Sequence, residues 1–309
     1  MAQLQSSIQA LGAVSSKTTQ TYGTGDVILR IGNGGAGYTG LVQALAKDHL
    51  STPTPRTGSI TWVRNNSRNT QLALLHGYID IALTYERDQE AIAVEEGWAV
   101  SAGCVFHDHF VLCGPTKDPA NITSTASLQE AFRAIASTKS LFHSRSDASA
   151  TMWKERKTWQ QCGLAPWEDA AATSTWYQAS PTTPPDAFTQ AMNAGAYLLT
   201  DRSTLLRQTE TAGARDTTVF VEPTHADDFL MNSCFALCSP AEGGENAVET
   251  KSFVDYLRSD RAQALIARYG VDEVGVPFFA PVRDGFARAG LRGGRPVDGR
   301  WNAASDASL

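Results

Sequence analysis

The stretch VILRIGNGGAGYTGLVQALAKDHL at residues 27–50 carries the fold in its pattern. Val27 to Ile31 is an apolar run of strand length, Gly32 to Gly40 is a glycine-rich loop, and Leu41, Val42, Leu45 and Ala46 recur on one helical face. Strand, loop and amphipathic helix in that order form the repeating unit of an α/β protein with largely parallel strands.

The alternation continues outward. Leu72 and Leu75 lie on a helix stopped by Gly77, Ile79, Ile81 and Leu83 alternate as a strand, and Phe106 to Cys113 form another, ended by Gly114 and Pro115. Ser127 and Glu130 have capping-box spacing, which starts a helix reaching about Ser137. Leu141 and Phe142 close a short strand, and the polar run Ser144 to Thr151 leads into a helix ending near Gly163. Tyr197 to Leu199 repeats the theme, with Thr200 to Thr204 opening a helix that carries Leu205 and Leu206. Val219 to Val221 and Phe235 to Leu237 read as strands. Two helical stripes follow, Phe253, Tyr256 and Leu257, then Ala262, Leu265, Ile266 and Tyr269, with Gly270 as a stop signal.

A chain of 309 residues is long enough for two lobes. Its net charge of −6 argues against a nucleic-acid partner, because phosphate backbones are held by clustered Lys and Arg. No stretch reaches the roughly 20 apolar residues of a membrane span, so membrane insertion is not expected. Met1 to Asp26 lacks a basic segment followed by an apolar one, which makes the chain cytoplasmic as written, or periplasmic or secreted if a leader has been removed. Cys104, Cys113, Cys162, Cys234 and Cys238 are odd in number and show no C-x-x-C spacing, the pattern of free thiols. No cofactor motif is present, and His107 with His109 lacks a third ligand for a metal.

Three loops, Gly32–Gly40, Ser144–Thr151 and Thr200–Thr204, each follow a strand and open a helix. Ligands of open α/β sheets bind beyond the carboxyl ends of strands, and helix starts favour anions through unpaired amides and the helix dipole. Their hydroxyl residues serve equally well as helix N-caps and their arginines as ion-pair partners. Three such loops together point to a site.

The stretches HGYIDIALTYE at 76–86, HFVLCGPTKDPANI at 109–122, FHSRSDASAT at 142–151, WYQA at 176–179, GAYLLTDRSTLL at 195–206 and YGVDEVGVPFFAPV at 269–282 resemble the tungstate-binding periplasmic proteins. The resemblance runs from His76 to Pro281 and extends back to Val27. It implies a two-lobed, class II periplasmic-binding-protein-like α/β fold, each lobe a mixed sheet flanked by helices, with a ligand cleft between lobes. The expected division is an N-terminal extension at 1–26, lobe I at 27–108 and 230–287, lobe II at 109–229, and an irregular tail at 288–309.

In the resembled family, Ser and Thr of the first loop and an Arg in a motif like S-R-G-D-D-S-G-T hold the anion. Here Ser144, Arg145, Asp147, Ser149 and Thr151 match, whereas Ser146 and Ala150 replace Gly and Ala148 replaces Asp. The first loop has few hydroxyls before Thr39, and SPTTPPD at 180–186 replaces a glycine-rich wall. The expected ligand contacts are Asn33, Gly34, Gly35, Tyr38, Thr39, Thr84, Tyr85, His143, Arg145, Ser149, Thr151, Tyr177, Asp201 and Arg202. The ligand is then a small molecule or oxyanion, with a transporter as a partner only where a leader is present.

The remodelled pocket and the HDHF stretch at 107–110 leave an alternative: an intracellular, cofactor-independent enzyme for a cyclisation, condensation or isomerisation, using His107, Asp108 and His109 for acid–base work. Strand alternation puts His107 and His109 on one face and Asp108 on the other.

Overall fold

Strands of a parallel sheet are largely covered on both faces, and the first part of the chain is built on three that are parallel or nearly all buried, β4 (Ile81–Thr84) among them. The computed structural model describes residues 5–51, 57–208, 216–240, 246–285, 291–292 and 295–296. Two units emerge: one comprises Met1–His107, Ser233–Tyr269 and Pro281–Arg283, the other Asp108–Asn232, Gly270–Ala280 and Asp284–Leu309.

The first unit opens with β1 (Thr18–Thr24) and β2 (Val27–Asn33), then a short helix α1 (Gly35–Tyr38) and α2 (Leu41–Leu50). It continues through β3 (Gly58–Arg64), α3 (Ser67–Leu75), β4 (Ile81–Thr84) and α4 (Arg87–Glu95), and into β5 (Val100–Pro115), which passes into the second unit at Asp108. Strand β2 lies parallel between β3 and β4, with Ile31 opposite both Trp62 and Ile81. The edge is β1, antiparallel to β3.

Residues 1–26 were expected as an N-terminal extension, and their described part packs on the first unit. Tyr22 of β1 and Ile8 are buried, and the Asn65 and Asn69 side chains bond the backbone of Ser15 and Leu11. The segment TTQTYGT lacks an apolar pattern, since an edge strand is held by its backbone pairing and exposes most side chains.

The second unit adds α5 (Leu128–Thr138), β6 (Phe142–Ser144), α6 (Ala150–Gln161), α7 (Ala170–Thr173), β7 (Tyr177–Ala179), α8 (Pro184–Ala194), β8 (Leu198–Asp201), α9 (Arg202–Arg207) and β9 (Thr217–Val221). Strand β5 pairs antiparallel with β8 and β9, and β6 pairs parallel with β7. The α5 face of Leu128, Ala131, Phe132 and Ile135 packs on an aromatic core in which the Phe132 and Trp159 rings lie 4.4 Å apart and Phe142 and Trp159 lie 5.1 Å apart. Ser127 caps this helix through the Glu130 amide, and the Glu130 carboxylate accepts from the Ala126 amide.

The chain returns to the first unit with β10 (Met231–Cys238), antiparallel to β4, and with α10 (Ala247–Leu257) and α11 (Asp260–Arg268). A short helix α12 (Val271–Val274) belongs to the second unit, so 270–280 leaves the lobe to which the sequence reading gave it. In the tail, β11 (Leu291–Arg292) and β12 (Arg295–Pro296) form a small antiparallel pair where only irregular chain was expected; the rest of 288–309 lies outside the described residues. All five cysteines are free, and no helix among the described residues is long and apolar enough to cross a membrane.

The α1 turn is fixed by close packing. A β-carbon on Gly37 would stand 2.1 Å from the Trp62 indole. Gly37→Ala is therefore expected to lower unfolding free energy by about 1–3 kcal/mol, measured by urea denaturation, through overpacking of the indole.

Candidate functional site

The loop between β6 and α6 turns a buried cation into the organising group of the second unit. Arg145 is only 5% exposed, so its charge needs partners. Its Nε and Nη2 donate to Asp147 Oδ2 at 2.9 and 2.5 Å, and Nη1 donates to Thr151 Oγ1 at 3.0 Å and Asp201 Oδ2 at 3.3 Å. A guanidinium has five N–H groups, which leaves one on Nη2 without a hydrogen bond among the described residues.

The loop backbone bends to make this possible. Ser149 caps α6 by accepting from the Met152 amide, and its hydroxyl and amide donate to Asp147 Oδ1. Ser146 and Ala148 adopt left-handed φ angles of 47° and 58°. The first turn of α6 leaves the Ala150 and Thr151 amides without intrahelical acceptors.

Asp201 joins this loop to the start of α9. Its Oδ1 accepts from the Thr204 amide at 2.9 Å and from Ser203 Oγ at 3.0 Å. Ser203 Oγ also lies 2.6 Å from Asp108 Oδ2, and the His109 amide donates to Asp108 Oδ1 at 2.8 Å. Burial, aided by the Asp201 charge, pushes the Asp108 carboxyl up to about 8. Arg202 is buried and its Nη1 donates to the Pro277 and Phe278 carbonyls, which ties 270–280 to the unit.

Beneath the loop, Glu155 accepts from Ser144 Oγ at 2.7 Å, Tyr177 OH at 2.8 Å and Trp159 Nε1 at 3.2 Å, and burial raises its carboxyl to about 7. Tyr177, expected as a ligand contact, is buried among Phe142, Trp159 and Trp176, because its ring fills the core and its hydroxyl serves Glu155. His143 is buried, its imidazole pKa lowered by burial, and its Nε2 lies 3.4 Å from Ser180 Oγ.

In the first unit the expected contact residues largely hold the fold. Asn33 is fully buried; its Oδ1 accepts from the Gly37 amide and its Nδ2 donates to the Leu83 carbonyl. Thr39 Oγ1 donates to the Ala36 carbonyl, and Thr84 Oγ1 donates to buried Glu90. The Tyr85 amide donates to Ser67 Oγ. Gly34 and Gly35 stand at the start of α1, and the Tyr38 ring meets Trp62 edge-on with Arg64 5.5 Å above it.

His107, Asp108 and His109 do not act as one group. His107 Nδ1 lies 2.7 Å from Ser233 Oγ and Nε2 lies 3.3 Å from the Val282 carbonyl, whereas Asp108 engages Ser203 and His109 is buried. The sequence reading had Ser203 among the hydroxyl residues of the Thr200–Thr204 loop and Asp108 as a candidate acid–base group, but not their pairing. A serine two residues after an aspartate cap is the available signal, but its partner lies 95 residues away. No cluster of three or more His, Cys, Asp or Glu side chains among the described residues is arranged to hold a metal ion.

A sequence profile of the PBP superfamily domain matches residues 14–261. The chain belongs to the PBP superfamily. Its similarity to tungstate-binding proteins is direct: it is 28% identical over 209 residues to the tungstate-binding protein TupA of Peptoclostridium acidaminophilum, covering 66% of this chain and 69% of that one. It is also 28% identical over 238 residues, 76% of this chain and 67% of the relative, to a Haloferax volcanii protein provisionally named as an ABC transporter anion-binding protein. Among solved structures, a periplasmic protein provisionally named as metal-binding aligns with a TM-score of 0.77 at 29% identity, covering 85% of this chain and 98% of that one.

The two left-handed residues generate a test within this PBP-superfamily loop. An L-residue in the left-handed region costs about 1–2 kcal/mol that glycine avoids. Ala148→Gly is expected to raise unfolding free energy by about 1 kcal/mol in urea denaturation, provided the loop keeps its φ.

Proposed function

We propose that this PBP-superfamily chain binds a small oxyanion and that the Arg145 loop holds it. The observation that carries the reading is a buried guanidinium locked by two carboxylates and a hydroxyl, with an Nη2 N–H to spare, beside the first-turn amides of α6. A rigid, charged donor next to unpaired helix amides suits a compact anion, because charge-assisted hydrogen bonds are strong and the fork is pre-ordered. The names of the Haloferax and Peptoclostridium relatives, anion-binding and tungstate-binding, support it.

Ser149 and Thr151 fix the loop, and Asp147 and Asp201 fix the guanidinium. The hydroxyls of Thr39 and Thr84 are engaged within the fold and are not donors in this reading. Capture for a membrane transporter is the role that fits such binding.

Calorimetric titration with tungstate, molybdate, sulfate and phosphate checks the proposal. At least one is expected to bind, and Arg145→Ala is expected to weaken it by about 100-fold, the scale of one or two hydrogen bonds to a charged group. The absence of heat with all four, or unchanged affinity in the variant, would overturn the reading.

A further inference from the structure

A hydroxyl owns a single proton to donate, and Ser203 stands between two carboxylates. Its Oγ is 2.6 Å from Asp108 Oδ2 and 3.0 Å from Asp201 Oδ1. Ser203 can donate to only one of them. Were both carboxylates ionised, the other would press an oxygen lone pair against the Ser203 lone pair in a fully buried site, with nothing to bridge them. One additional proton resolves the conflict. Placed on Asp108 Oδ2, it lets Asp108 donate to Ser203 and Ser203 donate to Asp201, so that every short contact is a hydrogen bond.

The surroundings decide where that proton sits. Asp201 accepts hydrogen bonds from the Arg145 guanidinium and the Thr204 amide, so its oxygens already serve as acceptors. Asp108 contacts only the His109 and Ser203 amides and the Ser203 hydroxyl, with no cation in hydrogen-bond reach among the described residues. Arg202 lies near enough to lower its pKa somewhat, yet burial and Asp201 outweigh that.

We propose that Asp108, Ser203 and Asp201 form a relay that holds one proton at neutral pH, and that this proton sets how tightly the Arg145 loop binds an oxyanion. The second half rests on the anion reading above. With the proton in place, the guanidiniums of Arg145 and Arg202 balance the carboxylates of Asp147 and Asp201. Its release to solvent leaves one excess negative charge in this buried group, one residue from the Arg145 contact, and repels an incoming anion. His107 and His109 flank Asp108 on β5, which also carries Cys113; His143 lies on β6, Tyr177 on β7, and Glu155 lies beneath the loop.

Stability follows the same proton. Because the carboxyl of Asp108 is raised in the folded protein, the native state binds the proton where the unfolded chain has lost it. The contribution is complete below the unfolded value and lost as pH rises through about 8. Glu155 acts in the same direction near pH 7, so only a difference between variants isolates Asp108.

The experiment uses the full chain and its Asp108→Asn variant, whose amide can donate to Ser203 as the protonated carboxyl does. Infrared spectra across pH 6 to 10 are expected to show a protonated-carboxyl band in the unaltered chain that fades above about pH 8 and is missing from Asp108→Asn. The same band in Asp108→Asn, or no band in the unaltered chain at pH 7, would overturn the relay. For molybdate or tungstate, which carry no titrating proton in this range, affinity of the unaltered chain is expected to fall about 10-fold between pH 7 and 9, and that of Asp108→Asn by less than about 2-fold. Parallel slopes would overturn the coupling. If no oxyanion binds either chain, the anion reading fails and the infrared band still decides the relay.

Discussion

Burying the Arg145 guanidinium is the constraint from which the second unit's polar architecture follows. A charge taken out of water costs several kcal/mol unless it is paired and hydrogen-bonded, on the order of 3–5 kcal/mol when a partner is lost. Asp147 satisfies it from within the loop, which forces Ser146 and Ala148 into left-handed backbone. Asp201 satisfies it from the end of β8, where the same carboxylate caps α9. One guanidinium, through two ion pairs, thus links a loop, a strand end and a helix start. Asp108 and Ser203 are then drawn in to meet the remaining oxygen of Asp201.

Such a cluster is held open to little rearrangement. The aromatic core of Phe132, Phe142, Trp159 and Tyr177 lies beneath the loop, and Glu155 links that core to Ser144 at the loop's start. Buried polar groups hydrogen-bonded to one another in this way make a rigid arrangement, because a shift breaks bonds that are costly to lose in low dielectric.

Much of the fold was legible in the sequence because periodicity reports burial. The 27–50 unit appears as β2, α1 and α2, although the glycine-rich loop is shorter than its composition suggests: Gly32 and Asn33 finish the strand and Gly35–Tyr38 form a helical turn. The Ser127 capping box and the α5 stripe appear as read. The edge strand β1 was hidden because its stability lies in backbone pairing, which leaves little trace in side-chain pattern. In the Arg145 loop, the ion pair with Asp201 left no trace in the sequence because the two residues stand 56 positions apart. Asn33, Thr39, Thr84 and Tyr177 share a cause: a polar group next to a loop reads as a ligand contact, and only coordinates reveal that the fold itself uses it.

Nitrogen-15 NMR of the arginine side chains during a tungstate titration addresses Arg145 most directly. With Arg145 clamped and one N–H to spare, its Nη2 resonances are expected to be resolved in the free protein and to shift as tungstate is added, in step with the binding heat. Binding heat without any movement of the Arg145 resonances would contradict the assignment of that guanidinium to the anion.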